Sequence, residues 1–170
     1  FDRYFPSATS YRNLPAINVI MTRGCPGKCT FCNSAMTTLR WRSPKAVFEQ
    51  IQVLRERYGI RQVQFFDDTF TAKKKRIAQF CDRIKSGGYD FQWSCLTRAD
   101  CLDDDLILTM KKAGCVEFQI GIESGSDEVL GKINKKVKLD TLADTFKLIK
   151  RHKMRTKGFF ILGHFGDTRE

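Results

Sequence analysis

The sequence predicts an α/β fold, a partial (β/α) barrel of parallel strands that stops after its fifth strand. Three observations predict it. Short apolar stretches alternate with helix-periodic stretches five times without a break. The strands keep one polar face, although parallel strands covered by helices on both sides should be apolar on both. A polar face fits helices packed outside and a ligand-bearing lumen inside. Finally, charged residues gather where strands end, and β/α barrels carry their active sites at the C-terminal ends of the strands.

Residues 1–15 lack periodicity, contain Pro6 and Pro15, and read as a lead-in or linker to a core domain over 16–170. A first strand, 16–22, delivers a cysteine-rich loop. Ser43 then suits an N-cap and Pro44 the first helical position. Val47, Phe48, Ile51, Leu54 and Tyr58 follow helical spacing, and Gly59 ends that helix. Strand 62–67 runs into Asp67 and Asp68. The next helix, from about Ala72, buries Ile77, Phe80, Cys81 and Ile84 and stops at Gly87-Gly88. Strand 91–97 runs into Arg98-Ala99-Asp100, and a helix opening near Asp103 buries Leu106, Ile107 and Met110 before Gly114. Strand 116–122 runs into Glu123, followed by a short helical turn and a helix capped near Asp140 with Leu142, Phe146 and Ile149 on one face. A fifth strand, 157–162, runs into Gly163-His164-Phe165-Gly166 and would expose an apolar edge if left unpaired. Position 1 is Phe, and 166–170 reads as the opening of another helix, so the chain reads as an internal piece of a longer protein.

Strand parity carries the lumen argument. Val116, Phe118, Ile120 and Ile122 oppose Glu117, Gln119, Gly121 and Glu123. Phe91, Trp93 and Cys95 oppose Gln92 and Ser94, and Val63 and Phe65 oppose Gln64, Phe66 and Asp68.

A length of 170 residues suffices for one domain with a sizeable core, and no apolar run approaches a membrane span. Seven cysteines are an odd number, which argues against a secreted disulfide framework. Cys81, Cys95, Cys101 and Cys115 read as small hydrophobes in a reducing compartment, which points to the cytoplasm. The net charge of +11 is uneven: residues 131–160 carry ten Lys or Arg against Asp140 and Asp144. Such a face can attract nucleic acid. No aromatic residues interleave with the charges and no nucleic-acid module is evident, so the run reads as solvated surface and nucleic acid is not the expected partner.

The chemistry concentrates in residues 22–34. Cys25, Cys29 and Cys32 bring three soft thiolates onto one short loop. A closed zinc site takes four protein ligands, and electron-transfer iron–sulfur clusters normally have four cysteines. Three ligands leave one metal position open for a small molecule. Gly24 and Gly27 allow φ > 0 where the loop must turn.

Cys25-x-x-x-Cys29-x-Phe31-Cys32 resembles the signature of the radical S-adenosylmethionine (radical SAM) enzymes. The resemblance extends over nearly all of residues 12–170 and implies a TIM-like half or three-quarter barrel. It implies that the three cysteines hold three irons of a [4Fe–4S] cluster, and that S-adenosylmethionine chelates the fourth through its amino and carboxylate groups. An external electron donor would reduce the cluster, and sulfonium cleavage would release a 5′-deoxyadenosyl radical. Phe31 would pack near the adenine. Asp67 or Asp68 would hold the amino group and Arg98 the carboxylate. Glu123 would contact the ribose or the amino group, and the Gly163 turn would support the adenine. The ordinary readings are that Asp67 and Asp68 cap the following helix and that Arg98 pairs with Asp100. His164 lies near the mouth with no assigned role. Arg42-Ser43-Pro44, Phe65-Phe66-Asp67-Asp68-Thr69-Phe70 and Gly121-Ile122-Glu123-Ser124-Gly125-Ser126 are similar to the subgroup that usually has an upstream cobalamin-binding domain, which includes methyltransferases and ring-forming cyclases. Cobalamin, if used, would be bound outside this chain, and the substrate would be a small molecule chosen by parts beyond the core. The rival reading is a non-enzymatic iron–sulfur or zinc module whose basic face docks a nucleic acid or partner.

Overall fold

A computed structural model describes residues 11–88 and 90–168. Its elements run β1 (Ala16–Val19), β2 (Thr22–Arg23), β3 (Arg40–Trp41), α1 (Pro44–Tyr58), β4 (Gln62–Phe65), α2 (Lys74–Ser86), β5 (Gln92–Thr97), α3 (Asp104–Lys112), β6 (Cys115–Glu123), α4 (Asp127–Lys132), α5 (Leu139–Arg151) and β7 (Arg155–Phe160). Five strands form one parallel sheet in the order β1-β4-β5-β6-β7, each beside its predecessor. This is the α/β arrangement expected, an open stretch of (β/α) barrel. No helix among the described residues is long and apolar enough to cross a membrane. Positions 1–10 of the expected lead-in and 169–170 of the expected last helix lie outside the described residues. Residues 11–15 pack rather than trail away: the Arg12 and Asn13 N–H groups donate to Gln62 Oε1 at 2.9 and 3.0 Å, and Tyr11 is buried.

The helices begin and end for local reasons. Ser43 Oγ accepts the Ala46 N–H, Pro44 opens α1, and Gly59 closes it at φ 64°. Asp103 caps α3 by accepting the Leu106 N–H. Two helix boundaries differ from the sequence reading, and two strands also shift, with Gln62–Phe65 in place of 62–67 and Arg155–Phe160 in place of 157–162. Helix α2 starts at Lys74 because Phe70–Ala72 forms a separate 3-10 turn. Helix α5 starts at Leu139, with Asp140 inside its first turn, where a carboxylate favours the positive end of the helix dipole.

The core lies between the sheet and the outer helices. Phe65, Phe70, Phe80 and Trp93 are fully buried with ring centroids 4.5–6.4 Å apart, and the Trp93 indole N–H donates to the Ala113 carbonyl at 2.6 Å. On the opposite sheet face, Gln64 Nε2 donates to Gln119 Oε1 at 3.0 Å. These residues belong to β4 and β6, with β5 between them, and neighbouring strands lie about 4.8 Å apart. The bond therefore bridges over β5, where Ser94 is small enough to leave room. The lumen face is polar and self-satisfied, as the parity predicted.

The expected first strand, 16–22, is interrupted. Strand β1 ends at Val19, and Thr22–Arg23 instead pairs antiparallel with Arg40–Trp41, making a small ribbon that frames the cysteine loop. Periodicity could not reveal this pairing, because two-residue strands have no period. The crossing is held by Asp67. Its carboxylate is buried and accepts the Met21 N–H at 3.2 and 3.3 Å and the Thr22 N–H in a shorter bond. Burial pushes the Asp67 carboxyl up from 3.8 to about 6, against the pull of its bonds to Met21 and Thr22, and the neighbouring Asp68 charge adds to the rise.

A carboxyl whose folded-state pKa is raised favours the folded state most when protonated. Its contribution is fully present below pH ~4 and is lost as pH rises through about 6. Asp67→Asn should therefore remove a pH-dependent component of about 3 kcal/mol between pH 4 and 7, seen as a flatter pH profile of unfolding free energy in denaturant titrations.

Candidate cofactor site

The cysteine loop spans the gap between β2 and β3, and its shape follows from which backbone groups the strand ends can satisfy. Gly24 has φ 93°, and a Cβ there would collide with the Thr38 carbonyl. Its N–H donates to Asp68 Oδ2 at 2.7 Å, and the other Asp68 oxygen accepts from Ser34 Oγ at 2.6 Å. Gly27 is not left-handed, in contrast to the sequence reading. It permits close approach instead: a Cβ would lie 3.2 Å from Cys25 Sγ and 3.4 Å from Arg98 Nη1. The far side of the loop is held by the connection after α4. The Thr30 N–H donates to the Ile133 carbonyl at 3.0 Å, and Asn134 Nδ2 donates to the Lys28 carbonyl at 2.9 Å.

All three loop cysteines are free thiols, Cys29 buried and Cys25 and Cys32 half-buried. Cys25 Sγ accepts the Gly27 N–H at 3.4 Å and lies 3.3 Å from Thr69 Oγ1. Arg98 Nη1 lies 4.0 Å from Cys29 Sγ. Burial raises the Cys29 thiol pKa, while the Lys135 and Arg98 charges oppose the rise. Among the described residues no three His, Cys, Asp or Glu side chains converge as they would on a single metal ion. A polynuclear cluster holds its ligands further apart. The donor set fits one: three soft thiols, an N–H donor on the Cys25 sulfur, cations beside the buried thiol, and a Gly27 whose missing Cβ leaves the loop interior open.

Two ion pairs border this loop at the C-terminal ends of the strands. Arg98 follows β5 and grips Asp100 through two parallel bonds, Nε to Oδ1 at 2.9 Å and Nη2 to Oδ2 at 2.8 Å. It also donates to the Lys135 carbonyl at 3.0 Å. Glu123 ends β6, and its Oε1 is 2.9 Å from Lys135 Nζ, with both side chains at least nine-tenths buried. Glu123 has φ 72°, and the β6–β7 register shifts between Gly121 and Glu123. Such an irregularity re-aims a side chain at the end of a strand, and a left-handed non-glycine residue costs about 1–3 kcal/mol. Gly121 makes room, since a Cβ there would collide with the Glu123 carboxylate and the Lys135 ammonium.

The remaining residues singled out from sequence sit on the opposite flank. The Phe31 ring meets the His164 ring at 5.1 Å and 51°. Gly163, at φ 85°, and His164 both donate their N–H groups to Asp167 Oδ2, at 2.8 and 2.7 Å. His164 Nε2 is sealed from solvent and has no hydrogen-bond partner among the described residues. Asp67 is committed to the Met21 and Thr22 amides, so of the two carboxylates after β4 it is Asp68 that touches the cysteine loop itself. Lys135, Asn134 and Thr69 were missed by sequence reasoning. Lys135 and Asn134 lie in or beside a basic run read as solvated surface, and their contacts with Glu123 and Lys28 join distant loops that have no shared periodicity.

Comparison with known proteins bears on this loop. The sequence model of the Radical SAM superfamily matches residues 19–170. An uncharacterized methyltransferase of Pyrococcus horikoshii is 38% identical over 156 residues, covering 89% of this chain and 34% of that protein. The anaerobic magnesium-protoporphyrin IX monomethyl ester cyclase of Rubrivivax gelatinosus is 28% identical over 152 residues, covering 87% and 27%. The chain thus spans about a third or less of the length of these relatives. Among solved structures, the radical S-adenosylmethionine methyltransferase TsrM of Kitasatospora setae, with cobalamin and a [4Fe–4S] cluster bound, superposes with a TM-score of 0.77 at 17% identity, covering 89% of this chain and 32% of that one. With the family match running from the end of β1 through the cysteine loop and every later strand, the chain belongs to the radical SAM superfamily.

Proposed function

We infer that this chain is the core of a radical SAM enzyme: Cys25, Cys29 and Cys32 ligate a [4Fe–4S] cluster, and S-adenosylmethionine occupies the open metal position. The observation that carries the reading is a three-thiol loop facing a buried, oppositely charged pair at the same strand ends, in a chain of this superfamily. When bound and reduced, such a cluster would supply the electron for reductive cleavage of the sulfonium C–S bond to a 5′-deoxyadenosyl radical.

The chain's own residues supply binding and electrostatics. The Gly27 N–H donates toward Cys25, whose Sγ also lies beside the Thr69 hydroxyl oxygen, and Arg98 and Lys135 offset the thiolate charge at Cys29. The amino-acid end of S-adenosylmethionine is a zwitterion. A buried Glu123–Lys135 pair is its electrostatic complement, the ammonium facing Glu123 and the carboxylate facing Lys135. Arg98, held by Asp100, adds positive potential without leaving its place. Phe31, His164 and Gly163 form the flank on which a flat adenine would rest, and Asp68 keeps the loop seated on the sheet. The finer reading is methyl transfer or ring formation using cobalamin held outside this chain. It is supported by the methyltransferase and cyclase relatives.

Electron paramagnetic resonance of the anaerobically iron-reconstituted, reduced protein tests the reading. A [4Fe–4S]⁺ signal that shifts on adding S-adenosylmethionine is expected, and a zinc-loaded, folded protein that binds no S-adenosylmethionine would sink it. Cys25→Ala, Cys29→Ala or Cys32→Ala should each lose most of the bound iron by elemental analysis. Glu123→Gln and Lys135→Met should each lower stability by about 3–5 kcal/mol, because each strands a buried charge, and weaken S-adenosylmethionine at least tenfold in a spectroscopic titration. The double variant should recover much of the stability without recovering the ligand. Equal affinity in all three would remove the pair from the site.

A further inference from the structure

Beside the cysteine loop lies a cleft of about 320 Å³ that does not include Phe31, Gly163 or His164. Pro26, Gly27 and Lys28 form one wall, and Arg98, Lys135 and Lys136 form the other. Of its lining groups four are cations and one, Asp100, is an anion, and that anion is already bonded to Arg98. Lys28 and Lys136 are exposed, and among the described residues neither belongs to an ion pair. Positive charge therefore stands uncompensated at the rim of this recess.

The backbones that carry these lysines are fixed relative to the thiols. The Lys28 carbonyl is held by Asn134 Nδ2, and the Ile133 carbonyl receives the Thr30 N–H. Asn134 and Lys136 both adopt φ 55°, a conformation that persists in non-glycine residues only where surroundings enforce it. Arg98 lines the recess and reaches to 4.0 Å from Cys29 Sγ. One side chain thus touches both the cleft and a buried thiol. A second cleft, of about 630 Å³ and lined by Arg12, Lys111, Lys153 and Arg155, is also basic, but it lies at the N-terminal ends of the strands, and none of Cys25, Cys29 and Cys32 lines it.

We propose that the Lys28–Lys136 recess is the docking surface for a small acidic electron-carrier protein, which delivers its electron beside Cys29. The inference rests on the cluster reading above and adds the place and the charge of the partner. The carrier gives up one electron and the cluster gains it, with no bond made or broken. A basic rim steers an acidic partner and raises its association rate, an effect that salt weakens. A recess in the rim receives the protruding edge that holds a carrier's redox group. Single-stranded nucleic acid fits less well, because no aromatic side chain lines this cleft to stack a base.

The test uses the intact protein, an acidic flavodoxin as the probe, and the double variant Lys28→Glu/Lys136→Glu. Lys45→Glu/Lys153→Glu makes the same change in net charge elsewhere. Stopped-flow reduction of the reconstituted cluster by reduced flavodoxin should slow at least tenfold in the first variant and stay near wild type in the second. The wild-type rate should fall as salt is raised, while reduction by dithionite should be unchanged in all three proteins. Flavodoxin binding to the metal-free protein, followed by calorimetry, should show the same order. Unchanged flavodoxin kinetics in Lys28→Glu/Lys136→Glu, or equal losses in both variants, would overturn the proposal. So would a loss of affinity for an RNA oligonucleotide with no change toward flavodoxin. Failure of the wild type to hold any cluster would instead count against the function proposed above, and the calorimetry would still decide the docking surface.

Discussion

Adjacent carboxylates at the end of β4 hold the molecule's chemistry to its scaffold. Asp67 turns inward and binds the Met21 and Thr22 amides where the chain leaves β1. Asp68 turns outward and binds Gly24 and Ser34 inside the cysteine loop. A loop made largely of Gly, Pro, Lys, Thr and Cys has little apolar surface to bury, so hydrophobic packing cannot define its shape. Bonds from charged acceptors to backbone N–H groups can, because they are directional and stronger than neutral ones. The price is a buried carboxyl at Asp67 whose ionisation opposes folding.

The loop is gripped from two directions. The β4 carboxylates hold its beginning, and the Ile133–Asn134 segment holds its middle through Thr30 and Lys28. The same segment supplies Lys135 to Glu123 and a carbonyl to Arg98. Thiol placement, the buried ion pair and the Arg98–Asp100 fork are therefore mechanically joined. Buried ion pairs are seldom a net gain in stability, since desolvation offsets attraction. A pair kept at a strained Glu123, with Gly121 cleared to admit it, is better explained by what it can bind than by what it adds to folding.

The basic character of the chain also divides by place. Lysines on the outer helices that have carboxylate neighbours three or four residues away, such as Lys132 with Glu128 and Lys147 with Asp144, form exposed pairs of small energetic weight. Lys28 and Lys136 form no ion pair among the described residues, although Asp140 lies four residues after Lys136, and they stand next to the thiol loop. Net charge alone could not separate these populations, because the difference is one of position.

By itself, the amino-acid sequence determined the order and type of the main elements. Local rules were enough for the cap at Ser43, the stops at Gly59 and Gly114, the apolar faces of α1 to α3, and the alternation that leaves Gln64, Ser94 and Gln119 facing the lumen. The spacing of Cys25, Cys29 and Cys32 announced a three-ligand site, since that spacing is local as well. What the tertiary structure decided is everything that depends on loops meeting across the mouth: the β2–β3 ribbon, the division of labour between Asp67 and Asp68, the turn of Glu123 toward Lys135, and the recess beside Cys29. Those contacts join residues far apart in the chain, and their geometry is set by sheet curvature and by the need to satisfy buried polar groups. No period or motif in a single sequence encodes either.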